Sequence, residues 1–177
     1  MKWTTLLILA IAITFSGCSK GHKVVEIVDG DTIIVKPRLQ VRIIGIDAPE
    51  NDVDSQKFKD DLVKYETSQE QEAKVAKESK EELQALLLNK NVTLKYANDI
   101  DYEVLANGRT GRALRYVYLS NKDVGKLMLQ KGLARTWTDT SNVNGYRHQK
   151  EAEYSKEEIN AKISNTGIWK SLGEEKK

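Results

Sequence analysis

Four carboxylates and two arginines stand out for their types and spacing. Asp29-Gly30-Asp31 is an acidic turn, and eleven residues after Asp31 comes Arg42. The stretch Val41-Arg42-Ile43-Ile44-Gly45-Ile46-Asp47-Ala48-Pro49-Glu50 carries that cation and two more acids within nine residues. A second arginine follows in Gly111-Arg112-Ala113. Hard divalent ions such as Ca²⁺ take carboxylate, carbonyl and water oxygens. The planar arginine fork binds two phosphate oxygens at once. A carboxylate one water away from a phosphate can serve as its base. Asp29 and Asp47 can equally serve as turn or cap residues, and a lone strand arginine is ordinarily a surface ion pair. The functional reading therefore requires the acids and arginines to converge. His22 and His148 lie far from these motifs, and Cys18 is the one cysteine, so zinc is not indicated.

Short strands and turns must position these groups. Val24–Val28, Thr32–Val35 and Leu39–Ile46 read as three strands, with Asp29-Gly30 as a hairpin turn in which glycine tolerates positive φ. Pro37 ends the second strand or marks an edge. Residues 51–68 are polar and acidic and read as a loop holding a short helix near Phe58–Tyr65. Gln69–Asn89 is periodic, with Ala73, Ala76, Leu83 and Leu87 on one face. Val92–Tyr96 and Ala113–Leu119 are further strands, separated by a loop over 98–108. Val124–Lys131 and Tyr146–Asn165 are helical, the latter with Ala152, Ile159 and Ile163 as its buried stripe. The expected fold is α+β, mainly β: a five-stranded OB-fold barrel with three helices, whose ligands lie across one barrel face and its loops.

At 177 residues, the chain is sized for one domain with a real core. Hydrophobic residues make up 40% and charged residues 31%, as in a globular protein. The net charge of +2 does not by itself point to a polyanion partner, but its distribution is uneven. Residues 50–82 hold 6 basic and 11 acidic side chains, and residues 83–177 hold 16 and 11. The N-terminus has the layout of a targeting segment: Lys2, an apolar run from Leu6 to Phe15, then Ser16-Gly17 before Cys18. That arrangement resembles a bacterial lipobox, with residues 1–17 removed and Cys18 lipidated as the first mature residue. An ordinary secretory signal is the alternative. Residues 18–22 would be a tether, 23–170 the folded domain and 171–177 a charged tail. Lone Cys18 also rules out an intramolecular disulfide framework.

Taken together, Val28-Asp29-Gly30-Asp31-Thr32, Arg42 to Glu50, Gly111-Arg112-Ala113-Leu114 and Gly132-Leu133-Ala134 resemble the thermonuclease (staphylococcal nuclease-like) family. Glu72-Ala73 and Gly167-Ile168-Trp169 also match its style. The resemblance implies an OB-fold nuclease that cleaves DNA, with the choice between DNA and RNA left open, with Ca²⁺ as cofactor and loss of the 5′-oxygen. It implies that Asp31, Asp47 and the Ala48 carbonyl hold the metal. By the same resemblance Glu50 is the general base, Arg42 and Arg112 bind phosphate, and Asp29 and Thr32 support the turn. The chain departs from the family where an Asp-x-Tyr-Gly-Arg segment is usual: here Gly108-Arg109-Thr110-Gly111-Arg112 stands. The stacking tyrosines after Gly-Leu-Ala are also missing. Arg109, Trp137 and Tyr146 are the candidates for substrate contact, any aromatic face being able to stack on a base. Core packing is the alternative for Trp137. The expected partners are nucleic acid and a membrane reached through the lipid anchor, for a monomer outside the cytoplasm. A non-catalytic nucleic-acid-binding OB-fold lipoprotein is the second reading, which retention of Asp31, Asp47 and Glu50 disfavours.

Overall fold

A computed structural model describes residues 21–97, 102–104, 110–137 and 149–170. Its elements run β1 (His22–Ile27), β2 (Thr32–Val35), β3 (Leu39–Ile43), β4 (Ile46–Asp47), α1 (Gln56–Tyr65), α2 (Gln69–Leu87), β5 (Asn91–Lys95), β6 (Tyr102–Val104), β7 (Thr110–Leu119), β8 (Lys122–Asp123), α3 (Val124–Gln130), β9 (Arg135–Thr136), α4 (Glu151–Ile163) and a 3₁₀ turn (Gly167–Trp169).

Five strands close a barrel. β1, β2 and β3 form an antiparallel meander, β1 and β7 each pair with β5, and a parallel β3–β7 pairing closes the ring. In that last pair Arg42 lies opposite Leu114. The barrel is the mainly β five-stranded fold that the sequence leads one to expect. β-Branched and aliphatic side chains fill it, among them Val24, Ile33, Val35, Val41, Ile43, Val92 and Val117. β7 is the central element. Its residues Ala113 to Val117 are all buried, because the strand has neighbours on every side.

Several expectations change. The third strand does not run through to Ile46. Gly45 takes φ 81°, breaks it into β3 and β4, and turns β4 away to pair with β9. Among the described residues there are four α-helices rather than three, because the segment after Glu50 carries a full helix, α1, capped by Ser55 accepting from the Phe58 amide. The stretch expected as a loop over 98–108 contributes β6, paired with β7. In α2 the buried stripe is Glu72, Val75, Ala76, Ser79, Leu83 and Leu87. In α4 it is Tyr154, Glu158 and Ala161, while Ala152, Ile159 and Ile163 face outward. Two polar side chains displace the aliphatic stripe there: Tyr154 donates to Asp123, and Glu158 accepts from the Thr136 amide.

Gly30 is needed for close approach, not for a left-handed turn, since positive φ falls at other glycines. A Cβ on it would stand 2.6 Å from the Cβ atoms of both Ala48 and Ser79. The β1–β2 turn is thereby pressed between α2 and the chain leaving β4. Gly30→Ala should therefore cost about 1–3 kcal/mol through overpacking. Urea unfolding checks this, with a lowered midpoint and an unchanged slope expected.

Candidate functional site

The β1–β2 turn and the β3–β4 segment bring the acids and one arginine together. Asp29 Oδ1 accepts the Asp31 amide at 2.9 Å, which fixes the turn and aims Asp31 inward. Arg42 NH1 donates to both Asp31 oxygens, at 2.8 and 2.9 Å. Its NH2 reaches Asp47 Oδ1 at 2.8 Å. The Ala48 amide donates to Asp31 Oδ2 at 3.1 Å, so the backbone after β4 is tied to the β1–β2 turn. Thr32 Oγ1 donates to Asp31 Oδ1 and accepts from Arg112 NH1. Asp31, Arg42 and Asp47 are all buried.

Arg112 is held differently. Glu103 on β6 takes its Nε and NH2, both at 2.7 Å, and its backbone amide at 3.2 Å. Glu103 Oε1 also lies 3.8 Å from Arg42 Nε, so it links the two arginines. Sequence reasoning missed this residue. Tyr102-Glu103-Val104 supplies this carboxylate from a strand nine residues before Arg112. The alternation of that tripeptide was the available signal.

These groups line a cleft of about 600 Å³, bordered also by Asp29, Ala48, Pro49, Glu50 and Trp137, and by Gln56, Lys57, Asp60, Asp61 and Lys64 from α1. Glu50 is half-buried there, with Oε1 accepting the Asn51 amide. The Trp137 ring lies 5.6 Å from the Arg42 guanidinium, and its amide donates to the Gly45 carbonyl. Asp31, Arg42, Asp47, Ala48, Glu50, Arg112 and Trp137 thus meet in one place. Cys18, Arg109 and Tyr146 lie outside the described residues.

Among the described residues, the lining of the cleft carries more negative than positive charge, with seven carboxylates against four cations. Burial pushes the Asp31 carboxyl up to about 6 against the pull of Arg42, and Asp29 and Asp47 add to the rise. Asp47 suffers the same burial, but Arg42 and Lys57 outweigh it and hold its carboxyl below the usual range. Burial disfavours the charged Arg42 as well, yet Asp31 and Asp47 keep its guanidinium firmly protonated. Among the described residues, no three His, Cys, Asp or Glu side chains are grouped as metal ligands. The donor set is instead two carboxylates with the adjoining backbone, in a cleft short of positive charge. Such a set fits a hard oxygen-seeking cation that keeps part of its water.

A second buried charge pair holds the site's frame. Asp47 on β4 lies opposite Arg135 on β9. Arg135 is bidentate to Glu72 on α2, at 2.7 and 2.8 Å, and its guanidinium stacks 3.7 Å from the Tyr65 ring at the end of α1. Both charges are almost completely buried. Arg135→Met should cost roughly 3–5 kcal/mol by stranding Glu72, and Glu72→Leu with Arg135→Met should recover much of it. Equilibrium denaturation of the single and double variants checks this.

The family model for staphylococcal nuclease homologues matches residues 40–171. The chain is 28% identical over 151 residues to a protein of Staphylococcus hyicus named thermonuclease, covering 84% of this chain and 75% of that protein. It is also 27% identical over 156 residues to an uncharacterized 38.1 kDa protein of Capnoides sempervirens, covering 88% of this chain and 35% of that one.

Proposed function

The chain belongs to the staphylococcal nuclease family, a family of nucleases, and on that footing we propose that it is a Ca²⁺-dependent phosphodiesterase hydrolysing DNA, with RNA as a second substrate. One observation carries this: Asp31, Arg42, Asp47, Ala48, Glu50 and Arg112 all line a single cleft.

Asp31 and Asp47 would hold the ion, with the Ala48 backbone beside them. Once bound, Ca²⁺ supplies Lewis-acid polarisation of a phosphoryl oxygen and fixes its position. The remaining work falls to the chain. Glu50 accepts a proton from the attacking water on its carboxylate. Arg112, with three N–H groups spent on Glu103 and Thr32, is held with its fork at the cleft and partly exposed. Arg112 and Arg42 then offset the negative charge that builds on the phosphoryl oxygens as the P–O5′ bond breaks and the departing 5′-oxygen takes a proton from solvent. Trp137 presents a ring at the cleft edge on which a base can stack.

Non-catalytic nucleic-acid binding is the weaker reading, because an acidic cleft without a metal repels a polyanion. EDTA should abolish release of acid-soluble nucleotides, and added Ca²⁺ should restore it. Glu50→Gln and Arg112→Ala should each lower kcat by about a hundredfold or more while far-UV circular dichroism stays native. Full turnover in either variant would defeat the assignment.

We also propose that residues 23–170 form the nuclease domain and that Cys18 is a lipid anchor holding it outside the cytoplasm, on the sequence pattern described above. Palmitate labelling that disappears in Cys18→Ala is the expected result.

A further inference from the structure

The chemistry proposed above leaves Lys57 without a part. It projects from α1, and its Nζ lies 3.3 Å from Asp47 Oδ2 and 2.6 Å from Asp61 Oδ2. Asp61 is one helical turn further along the same face. The other Asp47 oxygen is taken by Arg42. Both oxygens of Asp47 are therefore engaged by cations, one of them brought in by a helix. That helix is fixed at two points: Phe58 is buried, and Tyr65 stacks under Arg135. Asp47 and Asp61 keep under a tenth of their side-chain surface, whereas Lys57 keeps 39%. The ammonium thus caps two buried carboxylates from the mouth of the cleft.

We propose that Lys57 is a tethered cation that competes with the metal for Asp47, and that Asp61 is the carboxylate it withdraws to when the metal enters. The proposal rests on the reading of Asp31 and Asp47 as metal ligands. A divalent ion at Asp47 and an ammonium on the same carboxylate repel each other at short range in a buried setting. Lysine's stem is flexible, and Asp61 already shares its ammonium, so Nζ can leave Asp47 without losing its ion pair or moving the helix. Before the metal arrives, Lys57 offsets part of the excess negative charge in the cleft. Metal affinity is accordingly set by α1 as well as by the two ligands.

The test is isothermal calorimetry with CaCl₂, without nucleic acid, on the full chain and four variants: Lys57→Met, Lys64→Met, Asp61→Asn, and Lys57→Met with Asp61→Asn. Lys64 lines the same cleft, but its ammonium lies over the Tyr65 ring. Lys57→Met should tighten Ca²⁺ binding about tenfold. Lys64→Met, which removes the same charge, should change it no more than about threefold. Asp61→Asn should weaken binding in the native background and have a clearly smaller effect when Lys57 is already Met. Equal effects of Lys57→Met and Lys64→Met, or an Asp61→Asn effect that is the same in both backgrounds, would overturn the proposal while leaving the metal site standing. No Ca²⁺ binding by either the native chain or Lys57→Met would overturn the metal assignment and the proposal with it.

Discussion

Asp31 and Asp47 leave neighbouring strand ends and both lean on the guanidinium of Arg42, deep enough that water screens none of the three well. Each depends on the others. Without Arg42 two carboxylates would stand buried and close together, and without the carboxylates an arginine would be buried alone. Apolar residues of the same volume would stabilise a barrel at least as well. The charges make sense as a site that holds negative potential in a fixed place, and the barrel is what makes burying them tolerable. β3 is locked between β2 and β7, so Arg42 enters the cleft at a height that cannot drift.

The two acids are positioned by separate devices. Asp31 is set by the Asx turn from Asp29 and by a glycine small enough for α2 and Ala48 to close over it. Asp47 is set by the break at Gly45 and by the short β4–β9 pairing. That pairing is in turn held by Glu72 gripping Arg135, by Glu158 gripping Thr136, and by Tyr65 stacked on Arg135. A frame assembled from α1, α2, α4 and β9 therefore ends at one carboxylate. A change far from the cleft can act on it through this chain of contacts.

The strands that supply the acids were legible because turn chemistry and β-branched runs are local signals, and so were the identities of Arg42, Asp47 and Glu50 as a group. Glu103 was not, since it lies in a polar stretch and gains its role only when β6 pairs with β7. The outward turn of Ile159 and Ile163 was equally hidden, because it depends on Asp123 and Thr136 offering partners to Tyr154 and Glu158 from other elements. Arg135 and Glu72 are 63 residues apart, and nothing in either neighbourhood announces the pair. Local periodicity locates elements, whereas long-range polar pairing decides which faces they bury.

Cleavage of duplex DNA in ¹⁸O-labelled water with Ca²⁺ tests the central claim most directly, because it reports both the metal requirement and the bond that breaks. The expected products carry ¹⁸O in a 3′-phosphate and an unlabelled 5′-hydroxyl, with no cleavage in EDTA. Cleavage that persists in EDTA, no cleavage with Ca²⁺, or products ending in a labelled 5′-phosphate would contradict the account.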